Sequence, residues 1–170
     1  VNIFDFSISN IGIVYLVMEL LEGHTLEEEL WEKGRLCLAR CAEILSPICS
    51  VLTEAHTTGV IHRDIKPSNI FLHQNKRGEV VKLLDFGIAK LSEQLVGITL
   101  SGIILGTPLY MSPEQFESRE VDFRTDIYSI GIMLYEMLTG QVPVNGGTPS
   151  AIARQHLLKP VPSLKELRSD

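Results

Sequence analysis

The sequence predicts an α+β fold in which short strands come first and helices dominate the rest of the chain. Compact apolar runs near the start, of which residues 13–18 are the clearest, favour neighbouring strands. Apolar residues recur at helical spacing over 38–56, and residues 126–138 are typical of an apolar helix in the middle of a domain. Between these helices, residues 60–84 hold short apolar pieces separated by turn-forming residues, which indicates small strands around loops.

The first part of the chain is predicted to form two strands and a short helix. Residues 1–6 alternate weakly between apolar and polar and precede a polar turn, so they are expected to pair with residues 13–18. Thr25 can cap the helix that follows, which is predicted over residues 26–31.

Three longer helices are predicted further along the chain. Helix 38–56 is expected to stop at Gly59 and helix 126–138 at Gly140, because glycine readily adopts the left-handed conformation that ends many helices. One more helix is predicted over residues 148–158.

Composition and charge narrow the class of protein. A chain of 170 residues with 45% hydrophobic and 21% charged residues fits one globular domain with a core. The net charge of −6 argues against binding to nucleic acid or to an anionic membrane, since both favour clustered Lys and Arg. The most apolar stretch, 95–105, is too short to span a bilayer. Because the first residue is Val1 and no signal peptide follows it, we expect the chain to be a piece of a longer protein.

The cysteines and most histidines form no predicted site. Cys37, Cys41 and Cys49 lie within one predicted helix, and their spacing matches no paired-cysteine zinc signature. Three buried thiols in a reducing compartment are the expected outcome. Four histidines lack chemically related neighbours in the sequence and are expected at the surface or at helix ends: His24, His56, His73 and His156.

Three loop motifs carry the chemistry. Residues 62–69 read HRDIKPSN, residues 85–87 read DFG, and residues 106–114 read GTPLYMSPE. Each motif is weak alone, but together they specify more than a dozen positions in one order. In this combination the chain resembles the protein kinase family, whose catalytic loop, magnesium-binding motif and activation-segment end they match. The resemblance continues in residues 18–23 and 126–131, while the serine at position 112 replaces the more usual alanine.

The resemblance implies a two-lobe, protein kinase-like fold, of which residues 1–170 would be a partial domain. Residues 1–18 would end the N-terminal lobe, residues 19–23 would form the hinge, and residues 24–170 would belong to an incomplete helical C-terminal lobe. The family's glycine-rich loop, strand lysine and helix glutamate would lie upstream, and an arginine that pairs with Glu114 would lie downstream. We therefore expect the fragment by itself to be inactive.

The same resemblance assigns roles in phosphoryl transfer, which needs positioning and charge stabilisation more than covalent chemistry. Asp64 would accept the proton of the substrate hydroxyl. Asn69 and Asp85 would supply the hard oxygens that Mg²⁺ prefers. Lys66 would neutralise the γ-phosphate of ATP during transfer.

Further positions are implied for nucleotide binding and for order in the active site. Backbone groups of Glu19 and Leu21 would bind adenine, Met18 would be the gatekeeper, and Phe71 would lie under the ring. Asp126 would hold the backbone of the catalytic loop. Three residues would stack into a regulatory spine: Ile3, His62 and Phe86.

An activation segment is implied between the second and third motifs. Arg63 would receive a phosphate from this segment, and Thr99 and Ser101 fall at the separations where bacterial relatives are phosphorylated. Such phosphates would order the aperiodic loop, whereas the simpler alternative is that these hydroxyls only keep the loop soluble. Thr107 and Glu114 would belong to the end of the segment.

The resemblance also indicates the substrate class. Lys66 and residues 106–108 are similar to the serine/threonine group, and several neighbouring residues to its bacterial members. The expected partners are ATP and proteins with Ser or Thr hydroxyls, in the cytoplasm or in the cytoplasmic part of a membrane-anchored, receptor-like kinase. Glu136 matches a position that contacts basic substrate residues in some relatives, and it equally fits a charge on a helix face.

Two other functions stay open. A pseudokinase or scaffold would use the fold for binding only, although the presence of Asp64, Lys66, Asn69 and Asp85 favours an enzyme. A kinase-like phosphotransferase acting on small molecules would share the aspartate and asparagine pattern, but residues 106–114 would not be expected in it.

Overall fold

The computed structural model describes residues 1–85, 108–117 and 120–167, with side chains up to residue 165. Its strands and helices follow the predicted order, and the α+β class is confirmed.

Two strands at the start form an antiparallel pair. Strand β1 spans Ile3–Ile8 and strand β2 spans Val14–Met18, with a register irregularity between Ile3 and Asp5. Both predicted strands are confirmed. Most of their apolar side chains are exposed in the described structure, because this pair is a separate two-stranded sheet.

The second sheet has three antiparallel strands in the order β3-β4-β5. Strand β3 is Gly23–Thr25, β4 is Ile70–Asn75 and β5 is Gly78–Leu83. Small strands were predicted within residues 60–84, and two of them are present. Residues 60–61 belong to the loop that precedes them.

Helices form most of the remaining described elements. Their bounds in the described residues are α1 Leu26–Lys33, α2 Leu38–Thr57, α3 Pro113–Phe116, α4 Arg124–Thr139, α5 Pro149–Leu158 and α6 Leu164–Leu167. Two single 3₁₀ turns lie at Pro67–Asn69 and Pro108–Tyr110.

Local signals at the helix ends act as predicted. The Thr25 hydroxyl accepts from the Glu28 backbone N–H, and the Glu28 carboxylate accepts from the Thr25 backbone N–H, so a capping box begins α1. Helix α4 ends at Gly140, whose φ of 78° is left-handed. A Cβ there would lie 2.9 Å from the carbonyl oxygen of Gly34, so the close approach also requires glycine.

The core lies where α1 packs on β4, α2 packs on β5 and α4 packs on α2. Helix α2 turns one stripe of residues inward, at positions 41, 44, 45, 48 and 52. The expectation of three buried thiols is wrong for two of them, since Cys41 is buried but Cys37 and Cys49 are exposed. Cys37 precedes the first turn, and Cys49 lies about 100° around the helix from Ile48, outside the stripe.

A buried carboxylate joins three elements beneath the hinge. Glu29 of α1 is 1% exposed and accepts from Arg40 Nε and Nη2, each at 2.9 Å. Lys33 and His24 lie 3.0 and 3.1 Å from the same carboxylate, and Arg40 also binds Glu79 at the edge of β5. The hydrogen bonds from Arg40 lower the pKa of Glu29 to about 2 despite its burial.

A search for membrane-spanning helices finds none in the described part of the chain.

Candidate active site

The catalytic loop is held by a buried carboxylate at the start of α4. Asp126 is fully buried, and its two oxygens accept the backbone N–H groups of His62 at 3.0 Å and Arg63 at 2.8 Å. His56, in the last turn of α2, places Nε2 2.7 Å from the same carboxylate. Asp126 thus binds the loop backbone as the resemblance implies, and it does so together with a histidine that the sequence did not single out.

Two residues of the site have a left-handed backbone although they are not glycine. Arg63 has φ 68° and Asp85 has φ 58°. Such conformations cost about 1–3 kcal/mol each and are concentrated at functional sites. The hydrogen bond from the Arg63 N–H to Asp126 is one of the contacts that hold this conformation.

His62 joins the catalytic loop to the end of β5. Its ring is 1% exposed, Nε2 lies 2.8 Å from the Leu84 carbonyl oxygen, and Nδ1 accepts the Asp64 N–H at 3.3 Å. A carbonyl can only accept, so the ring is neutral and its proton is on Nε2. Burial lowers the pKa of His62, in agreement with the neutral form.

Asp64, Lys66 and Asn69 meet in one cluster. Asn69 Nδ2 donates to the Asp64 backbone oxygen at 2.8 Å and to Asp64 Oδ2 at 3.1 Å. Lys66 Nζ lies 2.7 Å from the same Oδ2. The Asp64 side chain is 33% exposed, so its carboxylate is fixed from two sides and can still be reached from solvent.

The pairing of β4 with β5 brings the residue before Asp85 next to Asn69. The pairing of Ile70 with Leu83 puts the end of β5 beside the start of β4, and the Leu84 N–H donates to the Asn69 carbonyl at 2.8 Å. The local donor set is therefore two carboxylates and one amide oxygen. No cluster of three or more His, Cys, Asp or Glu that could hold a metal occurs among residues 1–85, 108–117 and 120–167. A sparse oxygen set fits Mg²⁺, which keeps waters and phosphate oxygens as its other ligands.

The end of segment 19–23, the predicted hinge, passes close to Phe71. Gly23 has φ 139°, and a Cβ at this position would lie 2.1 Å from the Leu72 carbonyl oxygen and 3.3 Å from the Phe71 ring. Phe71 pairs with Thr25 in the sheet, and its side chain is half-buried. Only glycine allows this approach, which leaves Phe71 directly beside the end of the hinge.

The Glu19 side chain makes contacts of its own. Its carboxylate accepts from Lys82 Nζ at 2.9 and 3.2 Å and from the Asn2 N–H at 2.7 Å. The Lys82 hydrogen bond lowers the pKa of Glu19. Leu21, the other expected adenine contact, is half-buried. The sequence predicted only backbone roles here, and the ion pair ties the hinge to β5.

The end of the activation segment is attached to the catalytic loop. Gln115 Nε2 donates to the Arg63 carbonyl at 2.9 Å. The Thr125 hydroxyl donates to Glu114 at 2.8 Å and forms a short hydrogen bond with the buried Ser112 hydroxyl, which also lies 3.2 Å from Gln115 Oε1. Burial alone would raise the pKa of Glu114, but its own backbone amide and the Thr125 hydroxyl hold that pKa below the usual value.

Glu136 is engaged within the protein. The Tyr110 hydroxyl donates to Glu136 Oε2 at 2.7 Å. Burial raises the pKa of Glu136 and also that of Tyr110. Tyr110 is therefore a local partner of Glu136, and a simple charge on a helix face would lack such a partner.

His156 makes two contacts that the sequence did not predict. It is 8% exposed, with Nδ1 2.7 Å from the Tyr128 hydroxyl and Nε2 3.1 Å from the Pro108 carbonyl oxygen. His156 lies in the last turn of α5, so the helix-end alternative is confirmed and the surface alternative is wrong. Its position in the predicted helix gives no local signal of these two contacts.

Some sequence predictions receive no structural account. Among the residues that the structure describes, Ile3 is 63% exposed on β1. Four residues with predicted roles lie outside the described residues: Phe86, Thr99, Ser101 and Thr107.

Comparison with known proteins gives a family match over nearly the whole chain. The family model described as "Protein kinase domain" matches residues 2–167. Serine/threonine-protein kinase Pkn1 of Myxococcus xanthus is 44% identical over 149 residues, which cover 87% of this chain and 21% of Pkn1. PknB of Mycolicibacterium smegmatis is 42% identical over 150 residues, which cover 87% of this chain and 24% of PknB. PknL of Mycobacterium tuberculosis is 43% identical over 148 residues, which cover 87% of this chain and 36% of PknL. The chain thus spans well under half the length of these relatives.

Proposed function

This chain belongs to the protein kinase domain family, and from that premise we propose that it is part of an enzyme that transfers the γ-phosphoryl group of ATP to Ser and Thr hydroxyls of proteins. The observation that carries the proposal is the cluster of Asp64, Lys66 and Asn69, held on a backbone that Asp126 and His62 fix.

In this proposal Asp64 is the catalytic base. The substrate hydroxyl oxygen forms a bond to the γ-phosphorus, the bond to the β,γ-bridging oxygen breaks, and the hydroxyl proton passes to Asp64. Asn69 orients the carboxylate through its 3.1 Å hydrogen bond. Lys66 stands 2.7 Å from Asp64 Oδ2, where its ammonium can balance the charge of the γ-phosphoryl group during transfer.

Asn69 and Asp85 are the residues that would hold Mg²⁺. Because Asn69 Nδ2 donates its hydrogen bonds to Asp64, the amide oxygen of Asn69 is the atom left to bind a cation. Bound Mg²⁺ would supply neutralisation of the phosphate charges. The left-handed backbone of Asp85 is supported by the His62 and Asn69 contacts to the preceding Leu84.

Adenine binding falls to the hinge. We propose that backbone groups of Glu19 and Leu21 bind the base and that Phe71 packs below it. The Glu19–Lys82 ion pair and the close approach at Gly23 support a fixed distance between hinge and sheet.

Control by phosphorylation belongs to the same proposal. Arg63 would receive the phosphate of Thr99 or Ser101, while Thr107 and Glu114 would complete the activation segment. The bond from Gln115 to the Arg63 carbonyl supports coupling between segment and loop. We further propose a cytoplasmic location, because ATP is the phosphoryl donor.

The test compares two variants of the full-length protein. Asp64→Asn should slow phosphorylation of a generic protein substrate by about 10²-fold or more and leave nucleotide binding intact, because a base acts in the transition state. Asp85→Asn should also weaken binding of Mg²⁺-ATP. Asp122→Asn, at an exposed position near the start of α4, is the matched control and should match the parent protein.

Radiolabel transfer from ATP measures the rate, and calorimetry measures nucleotide binding. Equal rates for the parent and Asp64→Asn would refute the assigned base. A scaffold that uses the fold for binding would bind nucleotide in the parent protein, but neither the parent nor any variant would transfer phosphate.

A further inference from the structure

We propose that His156 is a positioning residue for the protein substrate: it holds the turn Pro108–Tyr110 in place beside the catalytic loop. This inference rests on the proposed kinase function and deepens it, because it assigns a residue of α5 to the binding of the protein chain that carries the hydroxyl.

The geometry fixes the protonation pattern of the ring. Pro108 offers only a carbonyl at 3.1 Å from Nε2, so Nε2 carries the proton and donates. Nδ1 then accepts the Tyr128 hydroxyl at 2.7 Å. The ring also stacks on Phe116, with centroids 5.5 Å apart. His156 therefore joins α5, α4 and the turn through two directional contacts.

The Pro108 carbonyl needs this donor. Its backbone partner is the Met111 N–H at 3.4 Å, which is longer than an ordinary N–H···O hydrogen bond. An incompletely satisfied carbonyl in a part-buried place leaves a short turn poorly determined. Donation from His156 supplies the missing constraint.

The same segment leads to the catalytic base. Ser129 Oγ donates to the Tyr110 carbonyl at 2.8 Å, and Gln115 Nε2 donates to the carbonyl of Arg63, the residue before Asp64. The segment 108–115 is thus attached to α5 at one end and to the catalytic loop at the other. In this proposal the protein chain that brings its hydroxyl to Asp64 lies along this segment, because Gln115 joins the segment to the residue before Asp64.

Two substitutions separate hydrogen bonding from packing. His156→Phe keeps an aromatic ring against Phe116 but removes both polar contacts. His156→Gln loses the ring but can keep a donor near the Nε2 position. If hydrogen bonding positions the turn, Phe is the harmful variant and Gln restores function; if packing alone matters, the order reverses.

The measurement is a steady-state kinetic comparison in the full-length protein. His156→Phe should raise the KM for a protein substrate roughly 3- to 10-fold, as expected for loss of the hydrogen bond to the Pro108 carbonyl that positions the turn, while kcat and the KM for ATP stay within about twofold. His156→Gln should lie near the parent value. Leu158→Ala, at a 72% exposed position of the same helix, is the control and should leave all three constants unchanged.

A second measurement separates this inference from the proposed function. Hydrogen exchange of the peptide covering 108–117 should be faster in His156→Phe than in the parent or His156→Gln, whether or not the protein transfers phosphate. Equal exchange in all three proteins would overturn the inference, as would a Phe variant with parental KM or a parallel change in kcat and both KM values. A parent without kinase activity would refute the proposed function, and exchange would still decide on His156.

Discussion

Substitution of Asp126 by Asn tests the idea that one buried carboxylate shapes the catalytic loop. The carboxylate accepts the N–H groups of His62 and Arg63 and contacts His56, all within 3.0 Å. Asparagine has nearly the same shape but only one acceptor oxygen. In its better orientation this oxygen serves His62 and His56 and turns the amide NH₂ toward the Arg63 N–H.

The magnitude follows from that single mismatch. A hydrogen bond to a charged group contributes about 1.5–3 kcal/mol, and a buried donor that loses its acceptor costs about 1–3 kcal/mol. These two energies count partly the same loss and are not simply added, so we expect the free energy of unfolding to fall by about 2–4 kcal/mol. The Arg63 backbone, at φ 68°, should relax toward right-handed values and shift Asp64. A displacement of about 1 Å at a catalytic group can lower kcat up to 100-fold.

The assay follows this domain within the full-length protein. Urea dependence of hydrogen exchange in α2 and α4 gives the free energy of unfolding, and radiolabel transfer gives kcat. Asp122→Asn makes the same chemical change at an exposed site and should stay within about 0.5 kcal/mol of the parent. An Asp126→Asn protein that matches this control in both measurements would refute the reasoning.

Two further predictions concern charge. Glu29→Gln should lower the free energy of unfolding by about 3 kcal/mol at pH 7, and because the folded-state pKa of Glu29 is about 2 against 4.5 unperturbed, the difference should vanish as pH falls from 4.5 to 2. The same exchange assay measures it, with the exposed Glu43→Gln as control, and a difference that does not depend on pH would contradict the ion-pair account. Incubation of the full-length protein with Mg²⁺-ATP should phosphorylate Thr99, Ser101 or both, because the added charge can be bound by Arg63. Peptide mass spectrometry that finds neither residue modified in an active enzyme would remove this prediction.

Local patterns were sufficient for most of the secondary structure. The capping box at Thr25 and the left-handed Gly140 depend on residues within one helical turn, so the local sequence is enough to predict both helix ends. Burial is harder to predict, as the exposed Cys37 and Cys49 show. Whether an apolar side chain is covered depends on the face that meets another element.

The clustering of residues around Asp64 could also be predicted, because these residues lie close together in the chain. Asp64 and Asn69 are five residues apart, and the motif that contains them limits their roles. What the motif does not contain is the support of the loop. His56 contacts Asp126 across 70 residues of sequence, and nothing near either residue indicates the other.

The longer strands and helices, the three loop motifs and their resemblance to one family can all be recognised in the sequence. The contact of Glu19 with Lys82, 63 residues away, and that of His156 with the Pro108 carbonyl, 48 residues away, are visible only in the folded protein. The physical reason is the range of the interactions. Periodicity and capping act between neighbours in the chain, whereas a hydrogen bond between distant segments exists only after packing has brought them within about 3 Å.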